Sequence, residues 1–205
     1  MTPIREELRA RLAATAQEPS PARLRGETEA AVLVPLYVRD EELHAVFTKR
    51  REDLRRHPGE ISFPGGRRDH PDEELATTAL READEEIGLS PQEVDLIGTL
   101  APVSTFVTGY LIYPHVGLID PIPWKPSPNE VELVLELPLH ALVAGYAKRP
   151  ITRRGFTFDA DTYVVGDHLI WGATARILGD LLERLGPLAA RRGDGGADGA
   201  NRPES

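Results

Sequence analysis

The chain has 205 residues, a formal net charge of −9 and no cysteine. That length suits one domain with a real core. The acidic balance argues against general binding of nucleic acid or membrane, and the missing cysteines exclude disulfides, thiolate nucleophiles and thiolate metal sites. No apolar run approaches the ~18 residues of a membrane span, and the N-terminus lacks a signal-peptide core, so a cytoplasmic protein is expected.

Thr2, Pro3 and Glu6 predict a helix start, and the helix runs to about Ala14. "QEPSPARLRG" then breaks it with two prolines. "AAVLVPLYV" and "LHAVFTK", separated by "RDEE", predict a β-hairpin. "GEISFPGG" predicts a short strand ending in a Pro-Gly-Gly turn. The clearest helix is expected over Asp72 to Ile87, with Asp72 able to cap it. "EVDLIGTLAPV", "GYLIYPHVGLI" and "EVELVLEL" are expected strands, and "PLHALVA" a short helix. "GFTF" and "TYVV" are expected to form a hairpin, and "HLIWGATARILGDLLERL" a helix. The Gly-rich stretch from residue 189 is expected to be a disordered tail. This leaves an N-terminal helix and linker over 1–28 and a main domain over 29–188, of mixed α/β or α+β class.

"READEEIGL", residues 81–89, crowds acids at the end of the main helix. At about 100° per residue, Glu82, Glu85 and Glu86 share a face, and Asp84 points away by about 160°. Ala76, Ala79, Leu80, Ala83 and Ile87 form a separate apolar stripe. A run of acids is also what a solvated face looks like. Here, however, like charges repel at i,i+3 and i,i+4, and the helix dipole disfavours anions in the last turn by roughly 0.3–1 kcal/mol each. A divalent cation would relieve both, and hard cations such as Mg²⁺ or Mn²⁺ take oxygen ligands. By contrast Glu73 and Glu74 stand at the helix start, where the dipole favours them. "FPGGRRD" precedes the helix, and its glycines allow close approach of the backbone. Residues 49–68 hold seven Lys/Arg against three acids, among them Lys49, Arg50, Arg51, Arg55, Arg56, Arg67 and Arg68. Arginine forks suit phosphate, though about half of these are expected only to solubilise. Tyr163 and Trp171 are expected to pack the core.

"GGRRDHPDEELATTALREADEEIGL" resembles the Nudix box: Gly, five residues, Glu, seven residues, then Arg-Glu-apolar-x-Glu-Glu-x-Gly-apolar. Arg81, Glu82, Ala83, Glu85, Glu86, Gly88 and Leu89 match, and Glu73 takes the first Glu position. Gly66 sits one residue early, with Arg67 in the Gly position. The subfamily resembling coenzyme A pyrophosphatases carries the same extra residue. Its upstream signature is matched by Arg55, Gly59 and Phe63-Pro64-Gly65-Gly66, with Arg51 where that family often has Ser. "IWGATARIL" is similar to the subfamily's closing helix.

The resemblance implies a Nudix-type α/β/α sandwich with a mixed sheet and a loop-helix-loop catalytic motif. It implies Mg²⁺ or Mn²⁺ on Glu82, Glu85 and Glu86, with the Gly66 carbonyl as a further ligand. Glu73 would pair with Arg81, and Gly88 would end the helix. The implied reaction is hydrolysis of the pyrophosphate of coenzyme A, giving 3′,5′-ADP and 4′-phosphopantetheine. Glu85 or Glu130 would be the base, with Glu82 also in the catalytic set. Arg50, Arg55, Gly59, Phe63 and Gly65 are the substrate-binding candidates, with His57 as a further possible phosphate contact. A small-molecule substrate, no nucleic acid, no membrane, and a monomer or homodimer are expected. Competing readings are a Nudix hydrolase of ADP-ribose, NADH or an oxidised nucleotide, a non-catalytic nucleotide-sensing Nudix domain, and a structural Ca²⁺ site.

Overall fold

The computed structural model describes residues 3–13, 28–54, 58–70, 73–105, 109–153 and 155–193. Arg55, Arg56, His57 and Asp72, and the tail beyond residue 193, lie outside the described residues.

Helix α1 (Pro3–Ala13) buries Ile4, Leu8 and Leu12, one residue per turn on a single face. Strands β1 (Thr28–Arg39) and β2 (Glu42–Arg50) form the expected hairpin. Its two-residue turn holds Asp40 and Glu41 at φ 51° and 61°, the pairing of positive φ values that matches strand twist. Then come β3 (Ile61–Ser62), β4 (Gly65–Arg67), α2 (Leu75–Ile87), β5 (Asp95–Thr99), β6 (Val103–Thr105), β7 (Tyr110–Leu118) and β8 (Val131–Pro138). The chain continues through α3 (Leu139–Ala144), β9 (Tyr146–Arg153), β10 (Phe156–Val165), β11 (His168–Ile170) and α4 (Gly172–Leu185).

The main sheet runs β3-β2-β1-β7-β5, with β4 on β1, β6 on β7 and β8 on β2. It is mixed, because β1 pairs with β7 in parallel and with β2 and β4 antiparallel. Alternation along β1 divides the core in two. Val34 and Leu36 face α1, α3 and α4, while Ala31, Leu33 and Tyr37 face α2. Helices therefore cover both faces of a mixed sheet, the sandwich expected. A second, three-stranded sheet runs β11-β10-β9.

Six boundaries differ from expectation. Helix α2 begins at Leu75 instead of Asp72, with extended Glu74 at its N-cap making no side-chain cap. Gly65 and Gly66 do not form a turn; they open β4, opposite Val32 and Ala31. The strand expected over "EVDLIGTLAPV" is split into β5 and β6. Between the Thr99–His115 and Val103–Ile112 pairs lie three residues on one side and two on the other. Prolines 102 and 114 sit in that gap and bring no N–H, which fits a bulge there. "GFTF" and "TYVV" are one strand, β10, because "DADT" runs straight; their hairpin partner is β9, across a turn at Gly155 (φ 81°). "HLI" is β11, so α4 starts only at Gly172. Tyr163 is buried as expected, and Trp171 is half-buried. Residues 189–193, expected in the tail, are packed: Ala189 is buried and Gly193 N–H donates to Glu42 Oε1 at 2.9 Å.

No helix among the described residues is long and apolar enough to cross a membrane.

Candidate active site on the acidic end of α2

Helix α2 lies on the sheet through Ala79, Ala83 and Ile87, which are fully buried. This packing fixes where its acids go. Glu86 faces inward and is 6% exposed, Glu82 is mostly covered, and Glu85 is 60% exposed at its side chain. Asp84 is exposed. Gly88 ends the helix in the left-handed region (φ 69°, ψ 26°), donating its N–H to Asp84 O at 2.9 Å, while Leu89 N–H reaches Ala83 O at 3.4 Å.

The glycine strand supplies the wall opposite. Gly65 N–H donates to Glu86 Oε2 at 3.3 Å. A Cβ on Gly65 would meet Ala31 O at 2.4 Å, and one on Gly66 would meet the Glu82 Cδ at 2.4 Å. Glycine at 65 lets β4 lie against the β1 backbone, and glycine at 66 leaves room for the Glu82 carboxylate. Arg67, the residue that shifts the motif by one, is absorbed into β4, and its carbonyl accepts from Arg81 Nη2 at 3.2 Å.

Arg81 ties this unit together. Its Nε donates to Glu73 Oε1 at 3.1 Å, and its Nη1 lies 2.9 Å from Glu82 Oε1 and 3.3 Å from Glu85 Oε2. Glu73 also takes the Asp69 N–H at 3.3 Å. Burial alone would raise Glu73; the hydrogen bonds from Arg81, Thr78 and Asp69 outweigh it and hold its carboxyl below the ordinary range.

Glu82 and Glu86 shift the other way. Burial pushes both up, against Arg81 for Glu82 and against Gly65 N–H and Arg50 for Glu86, which reaches about 8. Arg50 Nη1 stands 3.9 Å from Glu86 Oε1 and 3.6 Å from Glu130 Oε2, so it bridges the two acids. Among the described residues no three acidic or histidine side chains converge as a ready cation cage. The Arg81 guanidinium spans Glu82 and Glu85 instead. The donor set nevertheless suits a hard divalent cation. It offers three carboxylates on one helix face, and burial raises the carboxyls of two of them, a cost that a bound cation would offset.

The remaining expected residues fall apart. Phe63 is 2% exposed and stacks on Phe47 at 4.6 Å, so its side chain packs in the core. Gly59 has φ 66°, with the Glu52 carboxylate filling the space beside it. Arg55 lies outside the described residues. Of the basic segment, Lys49 pairs with Glu132, Arg51 with Asp53 and Arg68 with Glu29. Arg50 alone of these reaches the α2 acids.

Sequence reasoning named Glu130 but missed how its loop, residues 119–130, docks on the end of α2. Its Ser127 N–H donates to Glu86 O at 2.8 Å and its Lys125 N–H to Ile87 O at 3.0 Å. The last carbonyls of α2, whose dipole opposes the acids, are thereby satisfied. The Ser127-Pro128-Asn129 turn residues were a local hint of the loop, but nothing local names its partner.

A family model described as the NUDIX domain matches residues 27–155, from the edge of β1 to the turn before β10. Two proteins named "Uncharacterized Nudix hydrolase NudL", from Salmonella paratyphi B and Salmonella newport, are each 41% identical over 163 residues. Those matches cover 78% of this chain and 84% of each relative. A crystal structure of a MutT/nudix family protein from Enterococcus faecalis superposes with TM-score 0.55 at 12% identity. It covers 80% of this chain, and this chain spans 63% of that one, a likeness of fold alone. Given the loop-helix-loop built around Arg81 and this breadth of sequence similarity, the chain belongs to the Nudix hydrolase family.

Proposed function

We propose that the protein hydrolyses the pyrophosphate of coenzyme A, or of its acyl derivatives, to 3′,5′-ADP and 4′-phosphopantetheine or its acyl form. Hydrolysis of a nucleoside diphosphate derivative goes with the family. The finer substrate rests on the segment before α2. The one observation that carries it is the seating of Gly65 and Gly66 in β4, with the extra residue Arg67 absorbed there and bonded to Arg81. The shifted spacing that marks the coenzyme A-type signature is thus an ordered part of the site.

Glu82, Glu85 and Glu86 would hold Mg²⁺ or Mn²⁺, with Gly66 beside them. When bound, such an ion neutralises pyrophosphate oxygens and makes a bound water more acidic. The chain's own residues do the rest. Arg81 orients Glu82 and Glu85, and Gly65 N–H orients Glu86. Arg50 is a charge-assisted donor for substrate phosphate, next to the acids. Its bridge to Glu86 supports Glu130 as the group that takes a proton from attacking water, with the more exposed Glu85 as the second candidate.

The test is to incubate the protein with Mn²⁺ or Mg²⁺ and coenzyme A, ADP-ribose or NADH, and resolve the products. Coenzyme A should be cleaved most efficiently, with 3′,5′-ADP as a product. Efficient cleavage of another substrate with coenzyme A untouched overturns the assignment.

A further inference from the structure

The loop over residues 119–130 is fastened on both sides of its contact with α2. At its start the indole Nε1–H of Trp124 donates to Glu136 Oε1 on β8 at 2.9 Å. Glu136 is itself fixed, since its other oxygen lies 3.1 Å from Arg39 Nη2, and Arg39 sits 5.0 Å over the ring of Tyr37. Near the far end Arg51 Nη1 donates to Pro128 O at 2.6 Å and Arg51 N–H to Glu130 O at 3.1 Å. Asp53 grips the same guanidinium in a fork, at 2.9 and 2.7 Å. Between these clamps lie the two N–H groups that cap α2, and immediately after them comes Glu130, 3.6 Å from Arg50.

We propose that Trp124 and Arg51 are positioning residues that hold the 124–130 loop so that Glu130 stands across Arg50 from Glu86. This rests on Glu130 serving the hydrolysis proposed above. Trp124 is held by Glu136 on β8 and by packing against the buried cluster that includes Ala83 and Ile87, and Arg51 is held by the Asp53 fork; neither bonds to the α2 acids. A carboxylate on a loop loses its fixed geometry when the loop gains freedom, and a misplacement of ~1 Å costs up to ~10²-fold in rate. Arg51 is an exposed side chain, so its loss leaves the core untouched.

The experiment compares Trp124→Phe, Arg51→Ser and Glu130→Gln with the two double variants that combine each clamp change with Glu130→Gln. Each clamp variant should lower kcat by roughly tenfold with KM nearly unchanged. Each double variant should fall no lower than Glu130→Gln alone, because both changes act through one group. Unchanged kcat in the clamp variants, or losses that multiply in the doubles, overturns the proposal. Amide exchange provides a readout independent of turnover. The N–H groups of Lys125 and Ser127 should exchange faster in Trp124→Phe, while amides in the middle of α2 keep their protection. If the wild type cleaves no nucleoside diphosphate derivative, the substrate assignment has failed on its own. Exchange then still decides the clamp, and unaltered protection at Lys125 and Ser127 overturns it.

Discussion

At the end of α2 the guanidinium of Arg81 reaches Asp69, Glu73, Glu82 and Glu85 and a backbone carbonyl. At the far end of the β9–β10 hairpin Phe156 is 76% exposed and Phe158 48% exposed. One region places charge against charge under partial burial, where each group depends on its neighbours. The other leaves large apolar rings in water, tied down by little more than a two-strand ladder. The first arrangement carries a cost, seen in the raised Glu82 and Glu86 carboxyls, which stability alone would not favour. The contrast teaches where sequence change should matter: most on the α2 face, least on the hairpin.

The contrast is broken most directly at Glu85. Glu85→Gln keeps the size and the exposure of the side chain but removes its charge. Turnover should drop by at least roughly 10²–10³-fold, with the thermal midpoint within a few degrees of wild type. Near-normal activity would sink the assignment of the α2 glutamates. A smaller effect, on stability, is expected at Glu73. Its carboxyl is held below the ordinary value by hydrogen bonds from Arg81, Thr78 and Asp69 that outweigh burial. A depressed folded pKa means stability that is present above the unfolded carboxyl's pKa and lost as pH falls through the folded one. Glu73→Gln should lower the midpoint at neutral pH by roughly 2–4 °C, about 1 kcal/mol for a chain of this size. The gap from wild type should close below the ordinary carboxylate range, as Glu73 takes up its proton. A gap that stays constant down to low pH would mean that Arg81 does not draw on the Glu73 charge.

Much of the fold was legible because its signals are local. The hairpin across "RDEE", the amphipathic stripe of α2 and the helix stop at Gly88 follow from neighbouring residues. The shared face of Glu82, Glu85 and Glu86 follows from helix period, although burial then separates them, with Glu86 inside and Glu85 outside. What was not legible depends on partners far along the chain. Nothing in "FPGG" says that β1 will pair with it and turn an expected bend into a strand. Nothing near Phe63 says that Phe47 will stack on it. "DADT" has turn-like composition, but in β10 Asp161 lies opposite Lys148 and takes the Tyr146 hydroxyl at 2.7 Å, so the strand runs on. The Arg50 bridge from Glu86 to Glu130 joins three distant stretches, and only the folded sheet brings them together.

The hairpin gives the smallest expected effect and the sharpest control. On one face of the β9–β10 ladder, Phe158 lies opposite Ile151 and Phe156 lies opposite Arg153, next to the turn. Phe156 has lost little of its exposure on folding, so replacing it with Ser forgoes little burial, and stability should change by no more than about 0.5 kcal/mol. Phe158→Ser should cost slightly more, roughly 0.2–1 kcal/mol, because it also removes a cross-strand apolar pair. Neither ring contributes to the α2 site, so kcat/KM should stay within about twofold of wild type in both variants. Thermal unfolding beside steady-state kinetics checks the two expectations separately. A tenfold loss of activity at unchanged stability would show that the hairpin serves the reaction, and the division between the two regions would then be wrong.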